Sequence, residues 1–544
     1  MDRIRIDTLL TNGKIYTLRK EGETVEAIGI DKGKIVFAGS NQASENYNAS
    51  DLINLAGKAV IPGMGDSHLH MYAYCQKQTS VKLDDVKSIE QLIAAMKEKA
   101  SATPKGKWIR GAGFDQTKFS ENSIPTRWDL DKISTEYPVV IRRCCLHTMV
   151  ANSLAIQMAG VDQDMIERAG GLIELDDAGK MTGIFHEKSI IIFDNLVPDP
   201  LADHDEKKRI MVEVLEDMVS KGITSINTYA AKIWNYEEDI AIYRDLDKEG
   251  KLPLRVIVSL DYLFETDYMA ASGEDPYAKV KYGSYKLFTD GSLGAKSAAL
   301  LEPYSDDENN YGILVNKENL NKDLLIAYDM GLQPAIHAIG DRALEITLDA
   351  IDYVLENSKE KSARENKKIK RLPFRIIHAQ VVNKDQLERM KKLPIILDIQ
   401  PIFLCTDLYW IESRLGMDRM KNAYIWKTMM DAGLLMAGGS DCPVESYDPI
   451  KGIYAAITRQ GLDGYPSEGW GKDERLSVYE AICLFTKNIA YTTGDEEVLG
   501  TIEKNKFADF VVLDRDPFKV DSKELKEIKV LKTFVAGVQV YGGE

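Results

Sequence analysis

Four of the seven histidines stand where short apolar segments end, and two of these are separated by a single residue. His68 and His70 follow the segment 59–64, while His337 and His378 each close a later segment. Side chains two positions apart on an extended chain point to the same side, so the first pair can bind one cation through two ring nitrogens. The spacing therefore predicts a site for a divalent metal ion.

Two further residues extend this chemistry. Asp441 follows the apolar segment 434–439, and a carboxylate beside a metal-bound water can bind the metal and accept the water's proton. Lys286 lies inside the apolar segment 284–288, where a buried charge needs a partner or a modification. A neutral amine there can capture carbon dioxide and become a carbamate that binds two metals. The alternative is an ion pair with Asp290 or another acid.

The middle of the chain alternates short apolar segments with amphipathic helical stretches, which is typical of parallel strands joined by crossover helices. Eight such strands close a (β/α)8 barrel of the α/β class, in which the carboxyl ends of all strands meet at one mouth. The four histidines, Lys286 and Asp441 would become neighbours at that mouth. The predicted strands are 59–64, 223–228, 254–260, 284–288, 333–337, 374–378, 394–400 and 434–439.

Both ends of the chain differ from this middle. They consist of short β-branched segments separated by turns, which predicts a small discontinuous β-sandwich domain formed by residues 1–58 and 495–544. The barrel would take residues 59–79 and 206–494. The stretch 80–205 is too long for one crossover, so it is predicted to be an inserted lid lobe that follows the first barrel strand and contacts the substrate.

The composition excludes several classes of protein. Hydrophobic residues make up 44% of the chain, enough for a large core. The net charge of −16 and the lack of a basic stripe argue against a nucleic-acid partner. The first residues do not form a signal peptide, and no apolar run approaches the roughly 18 residues of a membrane span. We expect a cytoplasmic protein with no membrane partner, and a homodimer as the default assembly.

Several motifs resemble those of the amidohydrolase superfamily, whose members are metal-dependent hydrolases built on a distorted (β/α)8 barrel. These motifs are the segment 60–70, the tripeptide Gly439-Ser440-Asp441 and the tail 500–513. Four other segments, 108–115, 147–154, 286–294 and 337–343, are similar to the YtcJ-like branch, which includes N-substituted formamide deformylases. The resemblance covers nearly the whole chain.

The resemblance implies a divalent metal cofactor, with zinc as the first expectation. Because some members of the superfamily hold a single ion, both one and two ions per chain stay open. The implied ligands are His68, His70 and Asp441 for one ion, His337 and His378 for a second, and Lys286 as a carboxylated bridge.

The function expected from these residues is hydrolysis of a non-peptide C–N bond, of amide or formamide type, in a small molecule. Metal-activated water would attack the carbonyl carbon, with Asp441 as general base and then general acid. His378 would stabilise the oxyanion if only one metal binds. The predicted substrate-binding residues are Trp108, Phe114 and His147 of the inserted lobe, and Asp290.

Three alternatives stay open. A mononuclear deaminase of a small ring would use nearly the same ligands, and a hydrolase of lactones or other esters could be built on the same barrel. From another class, some relatives of this branch carry names that suggest regulation of exoenzyme production. A non-enzymatic regulator that kept the fold is therefore the third alternative.

Overall fold

A parallel sheet of eight strands forms the centre of the molecule. The computed structural model describes residues 3–104, 106–145, 147–169, 172–194, 196–230, 236–261, 277–316, 318–359 and 371–543. Each strand of the central sheet pairs in parallel with the next one along the chain. These strands, numbered β1 to β8, are Met64–Leu69, Ile223–Ala230, Arg255–Leu260, Val280–Phe288, Pro334–Ala338, Phe374–His378, Ile395–Ile399 and Met436–Gly438.

Backbone hydrogen bonds beyond the ends of β1 and β8 bring this sheet close to a complete barrel. The N–H of Asp441 donates to the carbonyl of His68 (2.7 Å), and the N–H of His70 donates to the carbonyl of Cys442 (2.7 Å). Seven of the eight predicted strands recur in the sheet near their expected positions. The predicted α/β barrel is thus confirmed.

The exception is the predicted first strand, 59–64, which is wrong as a single element. Ala59–Pro62 pairs with Lys14–Tyr16 and Phe510–Leu513 in a terminal sheet, and β1 begins only at Met64. Gly63 stands at the break, where an added Cβ would lie 2.2 Å from Oγ1 of Thr224. Because the residues on both sides of the break are buried and apolar, hydrophobic periodicity could not reveal it.

Two terminal sheets pack against each other around an apolar cluster of their own, which includes Leu10, Ile30, Val60 and Phe510. The predicted β-sandwich from both chain ends is therefore present, with 59–62 added to it. The other predicted domain bounds stay a prediction. The sheets have the strand orders Lys34–Gly39, Ala27–Asp31, Ile4–Thr11, Tyr47–Asn54 and Val538–Tyr541, Val530–Val535, Phe510–Leu513, Ala59–Pro62, Lys14–Tyr16, Thr24–Val25.

Between β1 and β2 the chain forms a lobe around a third sheet. Alternate residues of one strand enter different apolar clusters, Val139 and Ile141 in one and Val140 in the other, so the sheet is covered on both faces. The lobe strands lie in the order Ile173–Leu175, Met181–His186, Thr148–Ala151, Val139–Arg143, Ile109–Phe114, Val81–Lys82.

Helices flank the barrel strands and the lobe. The long helix before β2 begins after Asp203, whose side chain accepts the N–H of Glu206, and it buries residues such as Ile210 and Val214. None of the helices in the described part of the chain is long and apolar enough to span a membrane. The described α-helices are Asn41–Ser44, Met71–Gln78, Ile89–Ala102, Arg127–Asp131, Ser153–Ala159, Gln163–Ala169, Ile191–Asp194, His204–Ser220, Tyr236–Lys248, Leu320–Asp329, Asp341–Asn357, Lys384–Met390, Leu404–Asp407, Ile411–Arg419, Trp426–Asp431, Pro449–Thr458, Val478–Leu484 and Lys487–Thr493.

Candidate metal centre

Three of the predicted ligands meet where the barrel closes. Nε2 of His68 lies 3.0 Å from Oδ1 of Asp441, and Nε2 of His70 lies 3.1 Å from the same oxygen. Ligand atoms of all three residues lie within 4.8 Å of one another. The ends of β1 and β8 thus bring two imidazoles and one carboxylate to a single point.

The local backbone explains this convergence. Asp66, inside β1, accepts the N–H of His68 (3.0 Å) and that of Ser440 (3.1 Å) through one buried carboxylate oxygen. Gly439 allows the close approach, since an added Cβ would lie 2.8 Å from the backbone nitrogen of His68. Asp66 therefore ties the two ligand segments together, a role that sequence reasoning did not assign to it.

His337 and His378, at the ends of β5 and β6, face each other across the mouth. Nε2 of His378 lies 3.1 Å from Nδ1 of His337, and Oε1 of Gln400 lies 2.6 Å from Nδ1 of His378. The rings of His68 and His378 are 5.6 Å apart between centroids. The five predicted histidine and aspartate ligands therefore form one continuous group.

Lys286 projects from β4 and is 2% exposed. Its Nζ has no hydrogen-bond partner among the described residues and lies 4.8 Å from the ring centroid of Tyr229 and 4.9 Å from that of Phe288. The alternative to a carbamate, an ion pair with Asp290 or another acid, is absent from the described part of the chain. Burial lowers the pKa of Lys286 to about 7, although the negative charge of Asp441 acts to raise it. A fraction of the amine is therefore neutral near pH 7.

The charge states of the cluster suit a cation. Burial and the nearby Lys286 hold the pKa of His68 well below its usual value, and burial together with His337 does the same for His378. Although burial opposes its ionisation, contacts with His68 and His70 keep the pKa of Asp441 well below its usual range. Neutral imidazoles beside a carboxylate anion are the forms that bind a divalent metal. The residues present therefore fit the metal implied by the sequence.

His147 is the one predicted lobe residue that reaches the mouth. Its ring centroid lies 5.9 Å from that of His337, and its Nδ1 lies 2.8 Å from Oε2 of Glu187. Although burial opposes the charge, the Glu187 carboxylate raises the pKa of His147 to about 9. Glu187 follows a lobe strand that pairs with the strand after His147, a relation between strands that sequence reasoning did not find.

The other three predicted substrate contacts are more enclosed or lie within the lobe. Phe114 is fully buried in one lobe cluster, and Trp108 packs against the other. The side chain of Asp290 is 0% exposed and accepts the backbone N–H groups of Ala299, Ile339 and Gly340 at 2.8–3.0 Å. Phe114 and Asp290 are thus enclosed while Trp108 is half-buried, and a substrate contact of these three residues stays a prediction.

A pocket opens beside His378, and its wall continues into the lobe. Phe403 lines this pocket and stacks on the His378 ring, with 6.0 Å between centroids. Trp410, Glu445 and Asp407 also line it. The pocket therefore lies next to the metal-binding cluster, and its lining includes Arg143 of the lobe.

Several residues of the site were missed from the sequence. Gln400 directly follows β7, and Tyr229 lies near the end of β2, with its ring centroid 4.3 Å from that of His68. Both occupy the strand-end positions that predicted the histidines, so position was an available signal. Neither residue type is a usual metal ligand, which is why the search passed over them.

A (β/α)8 barrel with histidines and a carboxylate at the carboxyl ends of its strands is the architecture of metal-dependent hydrolases. The family model described as "Amidohydrolase family" matches residues 51–541. This chain belongs to the amidohydrolase family and is a metal-dependent hydrolase, which implies a small-molecule substrate.

Known proteins of similar sequence and structure agree with this assignment. The amidohydrolase YtcJ of Bacillus subtilis (strain 168) is 34% identical over 97% of this chain and 98% of its own. The N-substituted formamide deformylase of Arthrobacter pascens is 26% identical over 98% of each chain. A metal-dependent hydrolase from Pyrococcus horikoshii OT3 has 30% identity and a TM-score of 0.72, covering 95% of this chain and 99% of that one.

Proposed function

We propose that this protein hydrolyses the C–N bond of a small amide or N-substituted formamide. The observation that carries the proposal is the convergence of His68, His70 and Asp441 with the facing pair His337 and His378. The choice of bond is supported by the similarity, over 98% of the chain, to a formamide deformylase.

In the proposed reaction, a divalent metal ion held by these residues would supply Lewis acidity, which acidifies water and polarises a carbonyl group. Asp441 accepts a proton from the attacking water while the water oxygen forms a bond to the carbonyl carbon. The same carboxyl group then returns a proton to the departing nitrogen as the C–N bond breaks. If His378 is not itself a ligand, it would be the group that stabilises the negative oxygen.

Lys286 is proposed to become a carboxylated lysine. Addition of its neutral amine to carbon dioxide forms a carbamate and releases one proton. The support is its burial beside the cluster and the absence of a hydrogen-bond partner for Nζ among the described residues. A carbamate at this position would add two oxygen donors to the ligands of the two proposed sites, the one with His68, His70 and Asp441 and the one with His337 and His378.

The test is metal content per chain, measured by elemental analysis on protein purified without chelators or an affinity metal. We expect two zinc ions in the wild type and one or none in Lys286→Ala and in the volume-conserving Lys286→Met. Lys281→Ala is the matched control, since Lys281 lies on the same strand but pairs with Asp495 at 2.7 Å. Activity on a panel of amides and formamides should fall together with the metal. The proposal would be contradicted if the wild-type protein contains no metal and stays inactive when zinc is supplied.

A mononuclear deaminase is the second candidate. It is favoured by the compactness of the three ligands His68, His70 and Asp441, which meet without Lys286. In that case both Lys286 variants should keep one metal and most activity on amino-substituted heterocycles. The same metal analysis, followed by ammonia release from such rings, separates the two candidates.

A further inference from the structure

The lobe contributes an imidazole–carboxylate pair to the mouth that the proposed reaction has not yet used. His147 and Glu187 flank two lobe strands that pair in antiparallel fashion, with Thr148 opposite His186. The N–H of Glu187 donates to the carbonyl of His147 at 3.0 Å. The antiparallel pairing of the two strands thus brings the two side chains together at the end of the lobe sheet that faces the barrel.

Glu187 is held against the barrel under backbone strain. Its φ of 48° lies in the left-handed region, which residues other than glycine seldom adopt. Its Oε1 lies against Gly291, where an added Cβ would come within 2.3 Å. The carbonyl of Gly291 is in turn 3.1 Å from Nε2 of His337. One backbone segment therefore contacts both Glu187 and a predicted metal ligand.

The carboxylate defines which atom of His147 can act on a substrate. Oε2 of Glu187 lies 2.8 Å from Nδ1 of His147, so the carboxylate occupies that nitrogen and leaves Nε2 as the ring nitrogen that can meet a ligand. The ring lies 5.9 Å from that of His337, and the side chain of His147 is 22% exposed while that of Glu187 is 9% exposed. A buried carboxylate thus orients an accessible ring nitrogen, Nε2, beside the metal-binding cluster.

We propose that His147 is a further catalytic residue, which donates a hydrogen bond from Nε2 to the substrate carbonyl oxygen as that oxygen becomes negative, and that Glu187 positions it. This inference rests on the proposed amide hydrolysis. When the water oxygen bonds to the carbon, the C=O π electrons move to the carbonyl oxygen and His147 stabilises that charge. The electrons return as the C–N bond breaks, so His147 keeps its proton throughout.

The experiment uses zinc-loaded full-length protein and a series of para-substituted formanilides, whose aniline leaving groups differ in basicity. His147→Ala should lower kcat about 10²- to 10³-fold, by the same factor for every formanilide, with KM and zinc content unchanged. Glu187→Gln should lower kcat about 10- to 100-fold. The double variant should be no slower than His147→Ala alone, because Glu187 acts through His147.

His204→Asn is the matched control, since His204 also pairs with a glutamate, Glu238 at 2.9 Å, but is 53% exposed on the outer helix. It should leave kcat unchanged. A loss that grows with the basicity of the leaving aniline would place His147 at the nitrogen and overturn the inference. An unchanged kcat, or loss of zinc from His147→Ala, would also overturn it. Wild-type protein inactive on every formanilide would overturn the proposed function and this inference together.

Discussion

At the scale of single residues, the proposed chemistry depends on groups held in unusual states. His378 and Asp441 have φ values of 76° and 55°, in the left-handed region that such residues seldom adopt. Gln400 fixes the ring of His378, and the carbonyl of His68 accepts the N–H of Asp441. These contacts offset the backbone strain, which is common where side chains must point at a reacting centre.

A buried carboxyl group in the pocket wall should make stability depend on pH. Burial raises the pKa of Asp407 to about 7, above the value of about 3.9 for an exposed aspartate. Between these values the folded protein holds a proton that the unfolded chain has released, so stability falls by up to about 1.4 kcal/mol per pH unit. Asp407→Asn cannot ionise, so its free energy of unfolding should rise relative to the wild type between pH 5 and 7. Urea denaturation at several pH values measures this difference, and a difference constant with pH would contradict it.

At the scale of secondary-structure elements, the loop after β4 organises the next strand end. The carboxylate of Asp290 accepts one N–H from its own loop, that of Ala299, and two from the turn after β5, those of Ile339 and Gly340. Its Oδ1 also lies 3.3 Å from Nε2 of His337. Asp290 therefore positions a predicted metal ligand by fixing the turn that directly follows His337.

Asp290→Asn should destabilise the protein and weaken the metal site together. An amide keeps one acceptor oxygen but turns its NH2 group toward a backbone N–H, and an unsatisfied buried donor costs about 1–3 kcal/mol. We expect a loss of that size in urea denaturation and reduced zinc content by elemental analysis. If Asp290 contacts the substrate instead, KM would rise while stability and zinc content stay at wild-type values.

At the scale of the whole molecule, the terminal sandwich is tied to the barrel by a buried ion pair. The guanidinium of Arg255, on β3, donates to both carboxylate oxygens of Asp509 at 2.8 and 3.2 Å, and the two side chains are 6% and 7% exposed. The carbonyl of Asp509 also accepts the N–H of Gly63, at the entrance to β1. The carboxyl-terminal segment is therefore part of the structure that starts the barrel.

Asp509→Ala should destabilise the protein by about 3–5 kcal/mol, because it leaves the buried charge of Arg255 unpaired. Urea denaturation measures the loss. Glu213→Ala is the control, since it breaks an exposed pair with Arg209 that is worth less than about 1 kcal/mol. Equal effects of the two substitutions would show that Asp509 does not anchor the sandwich.

Much of the barrel and of the metal centre could be predicted from the sequence. Strands buried on both faces are continuous apolar runs, and their alternation with helices indicates the barrel. His68, His70, His337, His378 and Asp441 could be found because residues at the carboxyl ends of barrel strands must meet. This inference needs only the position of each residue along its strand, which the local sequence determines.

The tertiary structure alone decided what depends on contacts between distant segments. The break at Gly63 is set by the approach of Thr224, and the burial of Phe114 is set by packing inside the lobe. The pairing of His147 with Glu187 requires two strands that are far apart in sequence to lie side by side. Periodicity reports whether a residue is buried, but not which neighbours bury it. The sequence by itself therefore determined which residues lie at the strand ends, whereas the packing of the lobe on the barrel decided which lobe side chains stand beside them.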